Sequence, residues 1–273
     1  MTLVEPLFLP GSAGTLFGLY VPAKQPSDRG VVLVPPFAEE MNRARRMLRA
    51  QAAALAAAGT AALLLDPFGT GDSAGDFADA RWETWIADVR VAVRALEAHG
   101  ARRIGLLGVR LGAILAAAAV PTLAVPCFAT ALWQPVVHGD RHLTEFLRLA
   151  TLPGASNAYR GVTVEMLRAR LATGKSVEVA GYDIAPAMAA ALEGLHLAEL
   201  AHPALGSVLW FETVRETTLP LSSAGAQCAA AWAASGLKVT TRIMPGPAFW
   251  TGQGNTIFPD LISATIAGFE AAS

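Results

Sequence analysis

The chain has 273 residues, a formal net charge of −1 and only 16% charged residues, so it can bury a large core and presents no basic field to attract nucleic acid. Cys127 and Cys228 stand in apolar surroundings without CxxC or Cys/His spacing, which points to reduced structural thiols, a cytoplasmic setting and no metal or cofactor centre. The opening MTLVEPLFLPGS lacks a basic segment followed by a long apolar run, which argues against a secretory leader.

Two strands come first, Leu7 to Pro10 and Thr15 to Val21, joined through Gly11 and Gly14 as a hairpin. Gly30 to Val34 is a short β-branched run. Glu39 to Ala58 then places Met41, Ala44, Leu48, Ala52 and Leu55 on one helical face and stops at Gly59. The unit repeats: strand Ala61 to Leu65, a helix carrying Trp82, Trp85, Ile86, Val89, Val93 and Leu96 up to Gly100, strand Arg103 to Leu107, helix Leu111 to Ala119, strand Cys127 to Trp133. Ile104 to Trp133 is long and apolar enough to span a bilayer, yet Arg110, Pro121 and Pro126 interrupt it, and a buried strand, helix and strand explain it better.

The alternation breaks between His138 and Leu205, where Thr163 to Ala172 and Pro186 to Leu195 read as helices around a polar link. It returns with Val208 to Phe211, Ser222 to Ser235, Val239 to Met244 and Pro259 to Ala271. The pattern predicts an α/β-hydrolase fold: a mostly parallel central sheet with helices on both faces and an inserted helical cap. The expected division is a core of residues 1–137 and 206–273 with the cap at 138–205.

In such a sheet the working loops leave the C-terminal ends of the strands. Gly108-Val109-Arg110-Leu111-Gly112 has the frame and setting of a nucleophile elbow, between a buried strand and an apolar helix. Its central residue is arginine, which stays protonated and has no lone pair suited to attack a carbonyl. A literal G-x-S-x-G does occur at Gly71 to Gly75, but its strand ends several residues earlier and Asp76-Phe77-Ala78-Asp79 follows where an apolar helix should begin, so Ser73 reads as a loop residue.

The position for a triad acid follows the strand ending at Phe211, where Glu212 and Glu216 are available. The position for a catalytic histidine follows Met244 and reads Pro245-Gly246-Pro247-Ala248-Phe249-Trp250; His202 is the last histidine in the chain. The triad-equivalent positions are therefore Arg110, Glu216 and Phe249. His138 is the histidine nearest the expected mouth, where a capping or surface role competes with a chemical one. The loop Pro35 to Glu40 corresponds to the oxyanion-hole loop, with amides of Phe37 or Ala38 joined by that of Leu111. A buried guanidinium needs a carboxylate, and Glu39, Glu40, Glu212 and Glu216 are the candidates. Phe37, Ala38, Glu39, Glu40, Arg110, Leu111, Glu212 and Trp250 are thus expected to line the ligand site, while Asn42, Arg43, Arg45 and Arg46 read mainly as a solvated helical face.

The segments PPFAEEMNRARRM (35–47), DPFGTGDSAGDFADARW (66–82), GVRLGA (108–113), LWQPVVHG (132–139), VEVAGYDIAP (177–186) and PGPAFW (245–250) resemble the exosortase A system-associated hydrolase 2 group of the α/β-hydrolase superfamily. The resemblance implies a cytoplasmic protein of bacteria that make exopolysaccharide and sort proteins bearing an exosortase signal. Two functions remain open. One is an enzyme on an ester, thioester or glycan-linked acyl group that uses a pocket carboxylate such as Glu39 to activate water. The other is a non-catalytic protein that binds an anionic ligand or a partner through the pocket around Arg110.

Overall fold

The computed structural model describes residues 3–152, 161–214, 219–252 and 256–272. Among these residues ten strands and eight α-helices run in the order β1 (Glu5–Pro10), β2 (Thr15–Val21), β3 (Arg29–Val34), α1 (Glu39–Ala57), β4 (Ala61–Asp66), α2 (Trp82–Ala98), β5 (Arg103–Val109), α3 (Leu111–Ala119), β6 (Ala129–Trp133), α4 (Gly139–Thr151), α5 (Val164–Ala172), β7 (Val177–Val179), β8 (Tyr182–Ile184), α6 (Pro186–Glu193), β9 (Ser207–Val214), α7 (Ser223–Ala234), β10 (Val239–Pro245) and α8 (Pro259–Ala271). Eight strands form one sheet in the order β1-β2-β4-β3-β5-β6-β9-β10. β2 pairs antiparallel with β1 and β4, and every other pairing is parallel.

Strand periodicity sorts the core into two layers. Val31, Leu33, Leu107, Val109, Ala131, Trp133 and Phe211 face α1 and α8, while Val32, Val34, Ile104, Leu106, Leu132, Val208 and Trp210 face α2, α3 and α7. Both faces of the central strands are covered, which is why these strands read as unbroken apolar runs. α3 is buried on nearly all sides, so a helix of leucine, isoleucine, alanine and glycine suits it.

The stretch between β6 and β9 carries the two expected helices as α5 and α6 and adds further elements to them. α4 was not foreseen, and the expected polar link contains a small antiparallel hairpin, β7 with β8. Alternation over only three residues per strand is too short a signal to separate from a loop. This stretch lies over the C-terminal ends of the strands: the Tyr182 ring meets Phe77 edge to face, and its hydroxyl accepts a hydrogen bond from Asn42 Nδ2 at 2.8 Å. Among the described residues no helix is long and apolar enough to cross a membrane.

Candidate functional site

β5 runs on to Val109 and α3 begins at Leu111, so Arg110 forms the whole bend between them. Its backbone has φ 55° and ψ −119°, a conformation costly for a residue with a side chain. Main-chain groups hold it there: Arg110 N–H donates to Trp133 O at 2.9 Å, and Arg110 O accepts from Ala113 N at 3.1 Å and Val136 N at 3.2 Å. The flanking glycines follow from close packing. A Cβ at 108 would lie 2.4 Å from Gly112 O, and one at 112 would lie 2.3 Å from Pro35 O.

The guanidinium is held on two edges and one face. Nε donates to Glu40 Oε1 at 3.1 Å, and a terminal nitrogen lies 3.5 Å from Glu145 Oε2. Its Cζ sits 5.5 Å from the centre of the Trp250 ring, in range of a cation–π contact. Among the carboxylates expected to pair with Arg110, Glu40 takes the role, delivered by the first turn of α1 just after Ala38, whose φ is also positive at 50°. Glu145, from α4, is an addition the sequence did not suggest. Burial outweighs the adjacent guanidinium and pushes the Glu40 carboxyl up to about 7. Burial likewise raises Glu39, whose Oε2 is enclosed and has no hydrogen-bond partner among the described residues.

His142 is the second residue missed. It projects from α4 against Phe37, is buried, and neither ring nitrogen has a hydrogen-bond partner among the described residues. Burial, reinforced by Arg110, pushes it down to about 3, so the ring stays neutral. Its one available signal was the four-residue step from His138, which puts both on one face only if a helix runs through them.

Two cavities of about 170 Å³ each flank Arg110. One is walled by Phe37, Phe146, Leu149 and Trp250 and bears Glu39, Glu40 and Arg43. The other is bordered by Gln134, His138, Arg141 and Ser222. Arg110, His142 and Glu145 line both and form the partition between them.

Other expected site residues are placed as follows. Phe37 is buried in an aromatic cluster with Phe77, Trp85 and Phe146, and Leu111 is buried at the start of α3, whose first-turn amides a helix leaves without internal partners. Phe249 is fully buried, edge to face with Trp133 and Trp250, and it is Trp250 that reaches Arg110. Glu212 does not face the pocket. β9 continues to Val214, so Glu212 lies inside the strand on the Trp210 side, where it accepts from Trp210 Nε1 (3.1 Å), Ser222 N (2.8 Å) and Ser222 Oγ (3.0 Å). Glu216 lies outside the described residues.

Ser73 is no free nucleophile, since its Oγ donates to Asp66 O and accepts from Phe17 N at 2.8 Å, pinning the loop to β2 and β4. His138 meets His196 ring to ring, Nδ1 to Nδ1 at 3.3 Å, at the entry and exit of the inserted stretch. Arg45 is not simply solvated, because it forks onto Asp66 at 3.0 and 2.9 Å. Cys127 and Cys228 are buried thiols pushed up to about 12, which leaves them unreactive. No group of His, Cys, Asp and Glu among the described residues is arranged to hold a metal ion.

The sequence model of the serine aminopeptidase S33 family matches residues 25–201, more than half of the chain. The chain belongs to the serine aminopeptidase S33 family. No curated protein matches this S33-family chain. Solved structures share its α/β-hydrolase fold. The esterase PF2001 of Pyrococcus furiosus has a TM-score of 0.67 at 15% identity, over 99% of this chain and 91% of the other. Est1E of Butyrivibrio proteoclasticus has 0.66 at 13%, over 98% of each chain, and a thermostable carboxyl esterase of Bacillus coagulans has 0.68 at 12%, over 100% and 99%. At such identities the likeness speaks for the fold alone.

Proposed function

We propose that this S33-family chain is a ligand-binding member of the α/β-hydrolase superfamily that does not use a serine, histidine and acid triad, and that its ligand is anionic. The observation that carries the proposal is the elbow itself: a permanently charged, non-attacking guanidinium stands at the tip, with the Trp250 ring against it and no histidine after the last strand. Around the paired cavities, Arg43, Arg110 and Arg141 face Glu39, Glu40 and Glu145. Burial pushes Glu40 up to about 7 and raises Glu39 as well, so these carboxyls weigh less against the three guanidinium groups than their number suggests. The resemblance noted above supports a cytoplasmic role beside exopolysaccharide assembly.

The test is a fluorophosphonate probe together with a panel of short acyl esters. Neither labelling nor turnover is expected, and Arg110→Ser should not yield an efficient esterase, because no histidine follows the last strand and burial by itself still holds His142 below the ordinary imidazole range. Labelling at Ser73, or efficient hydrolysis by the Arg110→Ser variant, overturns the proposal. One observation favours a second reading: the enclosed, unpartnered Glu39 Oε2 on the cavity wall suits a carboxylate that activates water. Ester turnover without probe labelling, abolished by Glu39→Gln, would establish that route instead.

A further inference from the structure

Arg110 is held unequally on its two edges. The Nε edge meets Glu40, whose side chain is 10% exposed, at 3.1 Å. The other edge meets Glu145, whose side chain is 61% exposed, at 3.5 Å, longer than a good charge-assisted hydrogen bond. Exposed pairs of this kind contribute little, because solvent screens them and two long side chains must be held in place. Glu145 is thus the replaceable partner, and it lines both cavities.

We propose that Glu145 is an internal stand-in for the ligand, and that the ligand is a monocarboxylate with an apolar body whose carboxylate displaces Glu145 from Arg110. This rests on the binding reading above and narrows its ligand class. The freed terminal edge of the guanidinium offers two donors to one carboxylate, while Glu40 fixes its other edge. His142 supplies an independent sign of a missing polar partner: a buried, neutral imidazole whose two nitrogens have no hydrogen-bond partner among the described residues, on a residue that lines both cavities. Phe37, Phe146, Leu149 and Trp250 receive the apolar body. A phosphate fits less well, since only the terminal edge of one guanidinium is open to it while Glu40 keeps the other.

Calorimetric titration of the full chain with hexanoate and 4-phenylbutyrate, with their primary amides, with hexyl phosphate and with the ethyl esters tests this. The acids should bind, the amides at least about tenfold more weakly, as a lost charge-assisted contact implies. Glu145→Gln should tighten the acids about two- to fivefold, the range set by the weakness of an exposed ion pair, and leave the amides unchanged. Glu145 is exposed, so this variant should fold, and Glu145→Ala provides a second reading of the same effect. Acids that fail to bind, acids no tighter than amides, hexyl phosphate tighter than hexanoate, or no tightening in both Glu145 variants each overturns the inference. If amides or esters bind while acids do not, only the ligand class falls; if the esters are hydrolysed, the binding reading falls with it.

Discussion

Asp88 shows what burial does to a lone acid in this molecule. One of its oxygens accepts from Phe68 N at 2.9 Å, the other has no partner among the described residues, and burial pushes the group up to about 6 from an ordinary 3.8. A proton that binds more tightly in the folded chain makes a stabilising contribution that is complete below about 3.8 and is lost as pH rises through about 6. Asp88→Asn should therefore gain on the wild type between pH 4 and pH 7, by at most about 3 kcal/mol, read as the difference in urea midpoint across pH. At this scale the sequence showed what chain order decides. Arg110 at the elbow and the absence of histidine near Phe249 and Trp250 can be read by counting along the chain. His142 and Glu145 cannot, because they reach Arg110 only through the way α4 packs over the sheet.

Among the elements, the joint of β5, α3 and β3 is closely packed. Gly112→Ala would drive a Cβ to 2.3 Å from Pro35 O and 2.6 Å from Val34 O, backbone atoms of a buried strand exit that have nowhere to move. A loss on the order of 3 kcal/mol is expected in denaturant melts. Gly59→Ala, at φ +80° with open space around it, should cost only about 1 kcal/mol, which separates crowding from backbone strain. The alternation of β3 to β6 with their helices was legible because long buried strands and amphipathic helices have distinct periods. β9 runs three residues past the apolar run that ends at Phe211, for Glu212-Thr213-Val214 looks like an exit on polarity alone, although Gln134 Oε1 accepts from Thr213 N at 2.7 Å and extends the ordered strand. The short β7 and β8 carry too few residues for any period to show.

Across the whole molecule the inserted stretch and the sheet share one apolar cluster, in which Phe146, Leu147, Leu171, Met188 and Leu197 are continuous with Leu106, Ile114 and Trp232. Trp232 Nε1 donates to Leu197 O at 3.2 Å across that seam. Replacing residues 139–205 by a short linker should therefore abolish the folded state, seen as loss of near-ultraviolet circular dichroism, rather than release a stable core; a retained signal would show the stretch to be an independent lid. A last consequence concerns the turn at position 110. Main-chain atoms of Trp133, Ala113 and Val136 set its shape, and the side chain takes no part in those bonds. The bend is thereby fixed by backbone bonds alone, so exchanging its side chain would leave those bonds in place, and the loss would fall on the Glu40 pairing instead.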